Sequence, residues 1–352
     1  MTATDRMLAV RCTGEGGPAS LRAAEEPIPT PGPGEVLVRV AAAGINRADI
    51  MQREGKYPPP PGVTEVPGLE VSGTVAALGP EAGTAGEGRF AVGDRVCALL
   101  AGGGYAEHVV VPAGQLMAVP AGLDLVDAAG LPEVACTVHS TLVDRARLSP
   151  GDWVLVHGAA GGIGSFAVQL LTALGARVLG TAGGPEKVEH VRRLGAVDAF
   201  DHRAAASGAF APWVREATGG HGADVVLDVV GAPYLRPDVE ALALDGRIVV
   251  IAVQQGAVPQ DFNMMKLVAK RGWLTGATLR GRPPHEKAAI VAAAERAVWP
   301  LVEAGRIDVG TAPRFPLAEA AAAQEAFDAP GRTGKVLLVT DPADVRPAAE
   351  RA

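Results

Sequence analysis

The chain reads as an α/β protein in which a doubly wound parallel sheet is inserted into a β-rich unit. Three observations lead there. From 152 to 188, DWVLVHGAAGGIGSFAVQLLTALGARVLGTAGGPEKV spells an apolar strand, a glycine turn, a helix and a second apolar strand. From 153 to 253, short apolar runs alternate with helix-length segments, as strands covered on both faces require. Before residue 125 and after residue 310 the texture is strand, turn and loop.

Residues 7 to 12 and 36 to 42 run or alternate apolar at strand length, with the turn-rich PIPTPGPGE between them. VSGTVAAL is a further strand behind a proline-rich loop, and FAVGDRVCALL and GGYAEHVVVP form a strand pair parted by Gly102, Gly103 and Gly104. A helical pattern from Leu125 through Leu142 and Ala146 leads into the strand WVLVHG, followed by RVLGTA, AVDAFDH, ADVVLDVVG and GRIVVIAV. Helices are expected over 185 to 194, 208 to 217, 233 to 243 and 285 to 303. PRFPLAEAAAAQEAF then holds a short strand and an amphipathic helix, and GKVLLVT is a last strand able to rejoin the first unit. DPADVRPAAERA lacks an apolar period and reads as a loose tail. The expected domains are 1 to 125, 126 to 310 and 311 to 352, the first and last forming one unit.

Composition narrows the function. Hydrophobic residues at 48% and charged residues at 20% describe a soluble globular chain, and 352 residues suffice for two cored domains. A net charge of -7 with no Lys/Arg run argues against nucleic-acid binding. No apolar stretch approaches the roughly 20 residues that span a membrane. Cys12, Cys97 and Cys136 are too scattered for a disulfide framework or a thiolate zinc cluster, and without a signal-like N-terminus they point to the cytoplasm. The seven histidines stand mostly isolated, with only Cys136 and His139 close together, so no metal site is expected.

The glycine turn suggests the cofactor. Gly158, Gly161, Gly162 and Gly164, with Ala160 and Ile163 among them, let backbone approach a pyrophosphate at the amides heading the next helix. The Gly158-x-x-Gly161-x-x-Gly164 spacing departs from G-x-G-x-x-G, and its β-α-β setting supports it. In NAD-binding units an acid about 20 positions on accepts the ribose 2'-hydroxyl. Here stand Thr181, Ala182, Gly183 and Gly184. A pocket without that carboxylate accepts a 2'-phosphate, and NADPH is the expected cofactor. Lys187 and Arg203 offer compensating charge; the alternatives are a solvated helix cation and a surface-loop arginine. His157, closing the first strand of the motif, packs or hydrogen-bonds beside the cofactor.

The loop from Asn46 to Tyr57 carries Asn46, Arg47, Asp49 and Tyr57 next to the first unit's strands. An amide and a phenol orient a carbonyl by hydrogen bonding without acting as strong acids. Otherwise Asn46 stabilises a turn and Tyr57 covers an apolar patch. Asp49 orients the loop rather than reacting, and Thr137, after PEVAC, is placed to face the cofactor. Hydride transfer without a metal needs an acceptor that already takes hydride easily, such as a quinone or an activated alkene.

Six segments carry a resemblance: AAGINRADIMQREGKYPPPPG, PGLEVSGTVAALG, FAVGDRVCALLAGGGYAEHVVVP, GDWVLVHGAAGGIGSFAVQLLTALGA, FNMMKLVAKRGWLTGATLRGR and GKVLLV. Together they resemble the medium-chain dehydrogenase/reductase superfamily, within it the zinc-free quinone oxidoreductases, and most closely the p53-inducible quinone reductase group. The resemblance implies a Rossmann domain for the parallel sheet and a GroES-like β-rich catalytic domain. Asn46 stands where zinc-dependent relatives carry a cysteine ligand, and Leu69 where their Gly-His-Glu motif supplies histidine. By resemblance, Asn46 and Tyr57 line the substrate site beside the nicotinamide, with Asp49 supporting their loop and Thr137 adjoining both. Gly161, Gly162 and Ile163 cover the pyrophosphate and Lys187 contacts the 2'-phosphate, with Thr181, Gly183 and Val253 also assigned to the cofactor. His202-Arg203 replaces the tyrosine and basic residue common in relatives. Relatives associate as homodimers or homotetramers through the Rossmann domain, and the apolar run Gly246 to Val253 suits such an interface. The implied activity is hydride transfer from NADPH to a quinone. An enone or enoyl reductase is the first alternative, and a non-enzymatic NADPH-binding or RNA-binding role the second.

Overall fold

The computed structural model describes residues 6–14, 16–82, 89–204, 208–310 and 312–345. The chain forms two compact units: Met1–Cys136, Leu279–Glu303 and Val309–Ala352 make the first, and Thr137–Thr278 with Ala304–Asp308 the second. In chain order the first unit begins with β1 (Arg6–Cys12) and β2 (Leu21–Pro27), an antiparallel ribbon. It continues with β3 (Glu35–Gly44), β4 (Glu70–Leu78), β5 (Arg95–Leu99), β6 (His108–Pro112) and β7 (Leu116–Ala118). The second unit holds β8 (Trp153–Val156), β9 (Arg177–Ala182), β10 (Asp198–Asp201), β11 (Ala223–Asp228), β12 (Leu242–Val250) and β13 (Trp273–Gly276). The chain then returns to the first unit with β14 (Arg314–Pro316) and β15 (Leu337–Val339). The described helices are α1 (Arg47–Arg53), α2 (Pro132–Val138), α3 (Gly162–Ala173), α4 (Pro185–Arg193), α5 (Phe210–Ala217), α6 (Ala232–Ala241), α7 (Met264–Ala269), α8 (Pro284–Glu303) and α9 (Ala320–Asp328).

The first unit's sheet runs β14-β15-β3-β4-β5-β7, with β6 paired to β3. Alternation decides its inner face: Val36, Val38 and Val40 of β3 join Val71 and Val75 of β4 and Val96 and Ala98 of β5 in one core. The last strand does rejoin this sheet, Leu337 opposite Gly44 and Val339 opposite Ala42. That closure brings Lys335 to the start of α1, the placement on which the candidate site depends.

The second unit's sheet is parallel throughout, in the order β10-β9-β8-β11-β12-β13. Its two halves diverge from β8 and β11, and in such sheets ligands bind beyond the carboxyl ends of the strands at that divergence. Val154, Leu155, Val156, Val225, Val226 and Leu227 are all fully buried, which explains why these strands read as unbroken apolar runs.

Several expectations shift. The segment 47–53, expected as loop, is a helical turn that buries Ile50 in the first unit's core. The 125–146 helix breaks into a 3-10 turn (Asp127–Gly130), α2 and a wider π-type turn (His139–Arg145). The strand expected at 246–253 begins at Leu242 and ends at Val250, because α6 stops two residues early at Ala241. The helix at 285–303, expected within the 126–310 domain, belongs to the first unit. Trp299 Nε1 donates to the Ala118 carbonyl at 2.6 Å, and the Ala118 amide donates to Glu295 at 3.1 Å. β2, exposed along most of its length, and β13, exposed at the edge of the parallel sheet, are not marked by an apolar pattern in the sequence. Of the expected tail, Pro342–Val345 is a 3-10 turn and 346–352 lie outside the described residues.

Candidate functional site

In the first unit, polar side chains from five separated segments meet around the start of α1. Asn46 caps that helix, its backbone N–H donating to Asp49 Oδ2 at 2.8 Å. Asp49 is fully buried and also accepts from the Tyr105 hydroxyl (3.2 Å) and the Gly68 amide (3.1 Å). Burial pushes its carboxyl up to about 6 against those bonds and the nearby Lys335 charge. Asp49 thereby ties the start of α1 to Gly68 and Tyr105.

The Asn46 amide is held at both ends. Its Nδ2 donates to Glu70 Oε1 at 2.9 Å, and its Oδ1 accepts from Lys335 Nζ at 2.8 Å. Lys335 also pairs with Glu70 Oε1, and Glu70 Oε2 accepts the Glu133 amide at 2.9 Å. Glu70 is fully buried, and its pairing with the ammonium offsets the cost of enclosing it. Gly44 makes room: a Cβ there would lie 2.2 Å from Glu70 Oε1 and 2.8 Å from the Ala129 carbonyl.

Tyr57 is half-buried, with the Arg280 guanidinium 5.3 Å from its ring centroid. Arg280, itself buried, donates to the carbonyls of Ala101 (2.7 Å) and Tyr57 (3.1 Å) and to Gln52 Oε1 (2.6 Å). Burial raises the Tyr57 hydroxyl above its ordinary range, opposed by Arg280, so at neutral pH it is a phenol able to donate. Thr137 lies on α2 in the second unit, where its carbonyl accepts the Thr141 hydroxyl at 2.5 Å.

The second unit builds its candidate site from backbone. Gly158 has φ 62°, and the turn closes when the Gly161 amide donates to the Gly158 carbonyl at 2.9 Å. At Gly164 a Cβ would sit 2.3 Å from the Gly158 carbonyl oxygen and 2.6 Å from Ala159 Cα. Only a glycine lets α3 start this close to the turn. The amides of Gly162, Ile163 and Gly164 head α3, where helix geometry leaves donors without intrahelical acceptors. Gly161, Gly162 and Ile163 are partly exposed, whereas Ala160 and Gly164 are buried beneath them.

His157 and Thr181 lie beneath the turn. The His157 side chain is wholly buried, 4.7 and 4.8 Å from the Phe210 and Tyr234 ring centroids. Its Nδ1 lies 3.0 Å from Thr181 Oγ1 and its Nε2 2.8 Å from Asp238 Oδ1. Neither side chain is open to a ligand; they brace the turn from inside, where the Thr181 carbonyl accepts the Ala159 amide at 2.9 Å. The apolar strand end that drew attention to His157 also buries it.

Past β9, Gly183 borders the basic pair: a Cβ there would lie 2.8 Å from Arg203 Nε and 3.1 Å from His202 Nε2. Asp201 shapes this corner, accepting the Gly184 and Arg203 amides at 2.9 Å each, and those bonds lower its carboxyl. Lys187 lies in the first turn of α4, partly exposed. Val253 stands 45% exposed in the loop after β12, and the turn after β11 is shaped by Asp228, which accepts the Val230 and Gly231 amides at 2.6 and 3.0 Å.

The residues that sequence reasoning missed are Glu70, Tyr105, Arg280 and Lys335 in the first unit and Asp201, Asp228 and Asp238 in the second. Glu70, Tyr105, Arg280 and Lys335 all lie in the segments that carry the family resemblance, Glu70 and Lys335 as the charged residues beside apolar strands. No local pattern tells which partners any of these residues has. Among the described residues no group of three or more His, Cys, Asp or Glu side chains could hold a metal ion.

Comparison with known proteins decides the family. Residues 32–121 match the alcohol dehydrogenase GroES-like domain, and residues 162–295 match the zinc-binding dehydrogenase family. A 2-haloacrylate reductase from Burkholderia sp is 33% identical over 333 residues, covering 92% of this chain and 96% of its own. The human quinone oxidoreductase is 30% identical over 336 residues, covering 95% and 98%. The chain belongs to the medium-chain dehydrogenase/reductase superfamily. Its parallel sheet is thus the superfamily's Rossmann-like domain, and the β-rich unit its GroES-like domain. Among solved members, a mycobacterial protein complexed with NADPH superimposes with a TM-score of 0.83 at 33% identity, covering 95% of this chain and 99% of that one. The Escherichia coli quinone oxidoreductase complexed with NADPH gives 0.82 at 28% identity, covering 95% and 100%. This superfamily member is accordingly an oxidoreductase.

Proposed function

We propose that this oxidoreductase takes hydride from NADPH and delivers it to a quinone without a catalytic metal. The observation that carries the cofactor reading is the corner at Gly183, where Arg203 and His202 stand beside a strand end that lacks a carboxylate of its own. A 2'-phosphate finds charge there, and the turn from Gly158 to Gly164 suits a pyrophosphate because Gly164 lets α3 start close against the turn, with its leading amides at the partly exposed Gly162 and Ile163. Relatives of similar fold are solved with NADPH, which supports the same choice.

The bound cofactor supplies the hydride; the protein's own groups bind and orient the acceptor. Tyr57 offers a protonated phenol, held by Arg280, and Asn46 an amide of defined orientation. Both suit a quinone oxygen that gains negative charge as hydride arrives. The proton that completes the reduction comes from solvent. A second acceptor class, activated alkenes, is favoured by the 2-haloacrylate reductase relative and by Arg280, a buried cation bonded to neutral oxygens.

A second copy of the chain is the partner we propose. β13 is an edge strand of the parallel sheet with Trp273 and Leu274 exposed, next to exposed Met264, Met265 and Val268 on α7. Three free cysteines suit the reducing cytoplasm. No described helix is long and apolar enough to cross a membrane.

The test is steady-state NADPH oxidation against parallel panels of quinones, enones and haloacrylates. Faster turnover with quinones is expected; NADPH binding with no oxidation on any panel overturns the reading.

A further inference from the structure

Asn46 is 9% exposed, and each end of its side-chain amide faces a full charge. The oxygen takes a hydrogen bond from the Lys335 ammonium at 2.8 Å, and the nitrogen gives one to the Glu70 carboxylate at 2.9 Å. Turning the amide over would set its NH2 against an ammonium and its oxygen against a carboxylate, two repulsive contacts in a buried setting. The other Nδ2 hydrogen has the Gly44 carbonyl at 3.4 Å, too long for a strong bond. It is the donor this arrangement leaves for a ligand. Lys335 itself comes from a segment that the β15–β3 pairing delivers 289 residues from Asn46 along the sequence, and its side chain is 10% exposed.

We propose that Lys335 is a positioning residue for the reductase reaction: its ammonium, balanced by Glu70, locks and polarises the Asn46 amide so that one N–H is presented to the acceptor oxygen. This rests on the reading of Asn46 as an acceptor-binding group. The charge beside Oδ1 draws electron density through the amide and strengthens the N–H as a donor while negative charge grows on the acceptor. No proton leaves Lys335 in this role.

Removing Lys335 alone would strand the buried Glu70 carboxylate and threaten the fold. The informative protein is therefore the Lys335→Met/Glu70→Gln double variant, in which both charges go together and the amide is free to adopt either orientation. With NADPH and the best acceptor, kcat should fall on the order of 10²-fold, the loss expected of a misplaced polar group, with the KM for NADPH unchanged. Lys335→Arg should recover most of the loss. A second readout needs no turnover: the sequence contains two asparagines, Asn46 and Asn263, so [15N]asparagine labelling gives two side-chain amide signals, assigned by their loss in Asn46→Asp. In the parent protein the Asn46 amide hydrogen bonded to Glu70 should exchange with solvent more slowly than its geminal partner, and that difference should be lost in the double variant. Wild-type kcat in the double variant, or an unaltered Asn46 signal, overturns the proposal. If the parent protein reduces no acceptor, the reductase reading falls, and the Asn46 signal still decides whether Lys335 fixes the amide.

Discussion

The two candidate sites are built by opposite means. The second unit's cradle is backbone: a few contiguous glycines, a positive φ at Gly158, and a helix start that tolerates no Cβ at Gly164. The first unit's cluster is side chain, gathered from separate segments: Asn46, Glu70 and Lys335 satisfy one another by hydrogen bonds, Tyr105 bonds Asp49, and Arg280 bonds Gln52. A site made of backbone tolerates changes of chemistry and fails on changes of shape. A site made of side chains does the reverse.

That contrast can be broken by experiment. The largest effect is expected at Gly164→Val, where the new side chain collides with the Gly158 carbonyl and Ala159 backbone. Cofactor binding should be lost and the melting temperature reduced, as NADPH fluorescence titration and a thermal melt would show; normal binding would mean the cradle is looser than described.

Next is the pH response of the first unit. Asp49, raised from 3.8 to about 6, holds its proton more tightly folded than unfolded. Its contribution to stability is therefore complete below pH 4 and is lost as pH rises through about 6, by up to about 3 kcal/mol. Urea denaturation between pH 4 and 7 should show this decline, flattened in Asp49→Asn; an equal slope in the variant would assign the pH dependence elsewhere.

At the corner past β9, Arg203→Ala and Lys187→Glu should weaken NADPH by about 10- to 100-fold, the worth of a charge-assisted bond, and leave NADH nearly unchanged. Equal losses for both cofactors would remove these residues from the 2'-phosphate. The smallest effect is expected at Tyr57→Phe, where losing one neutral hydrogen bond should lower kcat/KM for quinone by about tenfold with NADPH affinity kept. Unchanged turnover would return Tyr57 to packing over Arg280.

Legibility in the sequence followed the same division. The glycine turn, β8, β9 and α3 lie within some thirty consecutive residues, and their local periodicity is their structure. At His157 the burial that makes its strand recognisable also encloses its side chain. Asn46, Asp49 and Tyr57 were legible as polar residues in a loop of the first unit, but their partners were not. Nothing near Asn46 announces Lys335, and nothing near Tyr57 announces Arg280.

By itself, then, the sequence determined the inserted parallel sheet, the cradle and the absence of an acid on the strand after it, since each is encoded by neighbours in the chain. Only the tertiary structure decided what Asn46 and Tyr57 bond to, that α8 joins the β-rich unit, and that His157 faces inward. Those outcomes depend on long-range strand pairing and on buried charges finding partners, which no local pattern records.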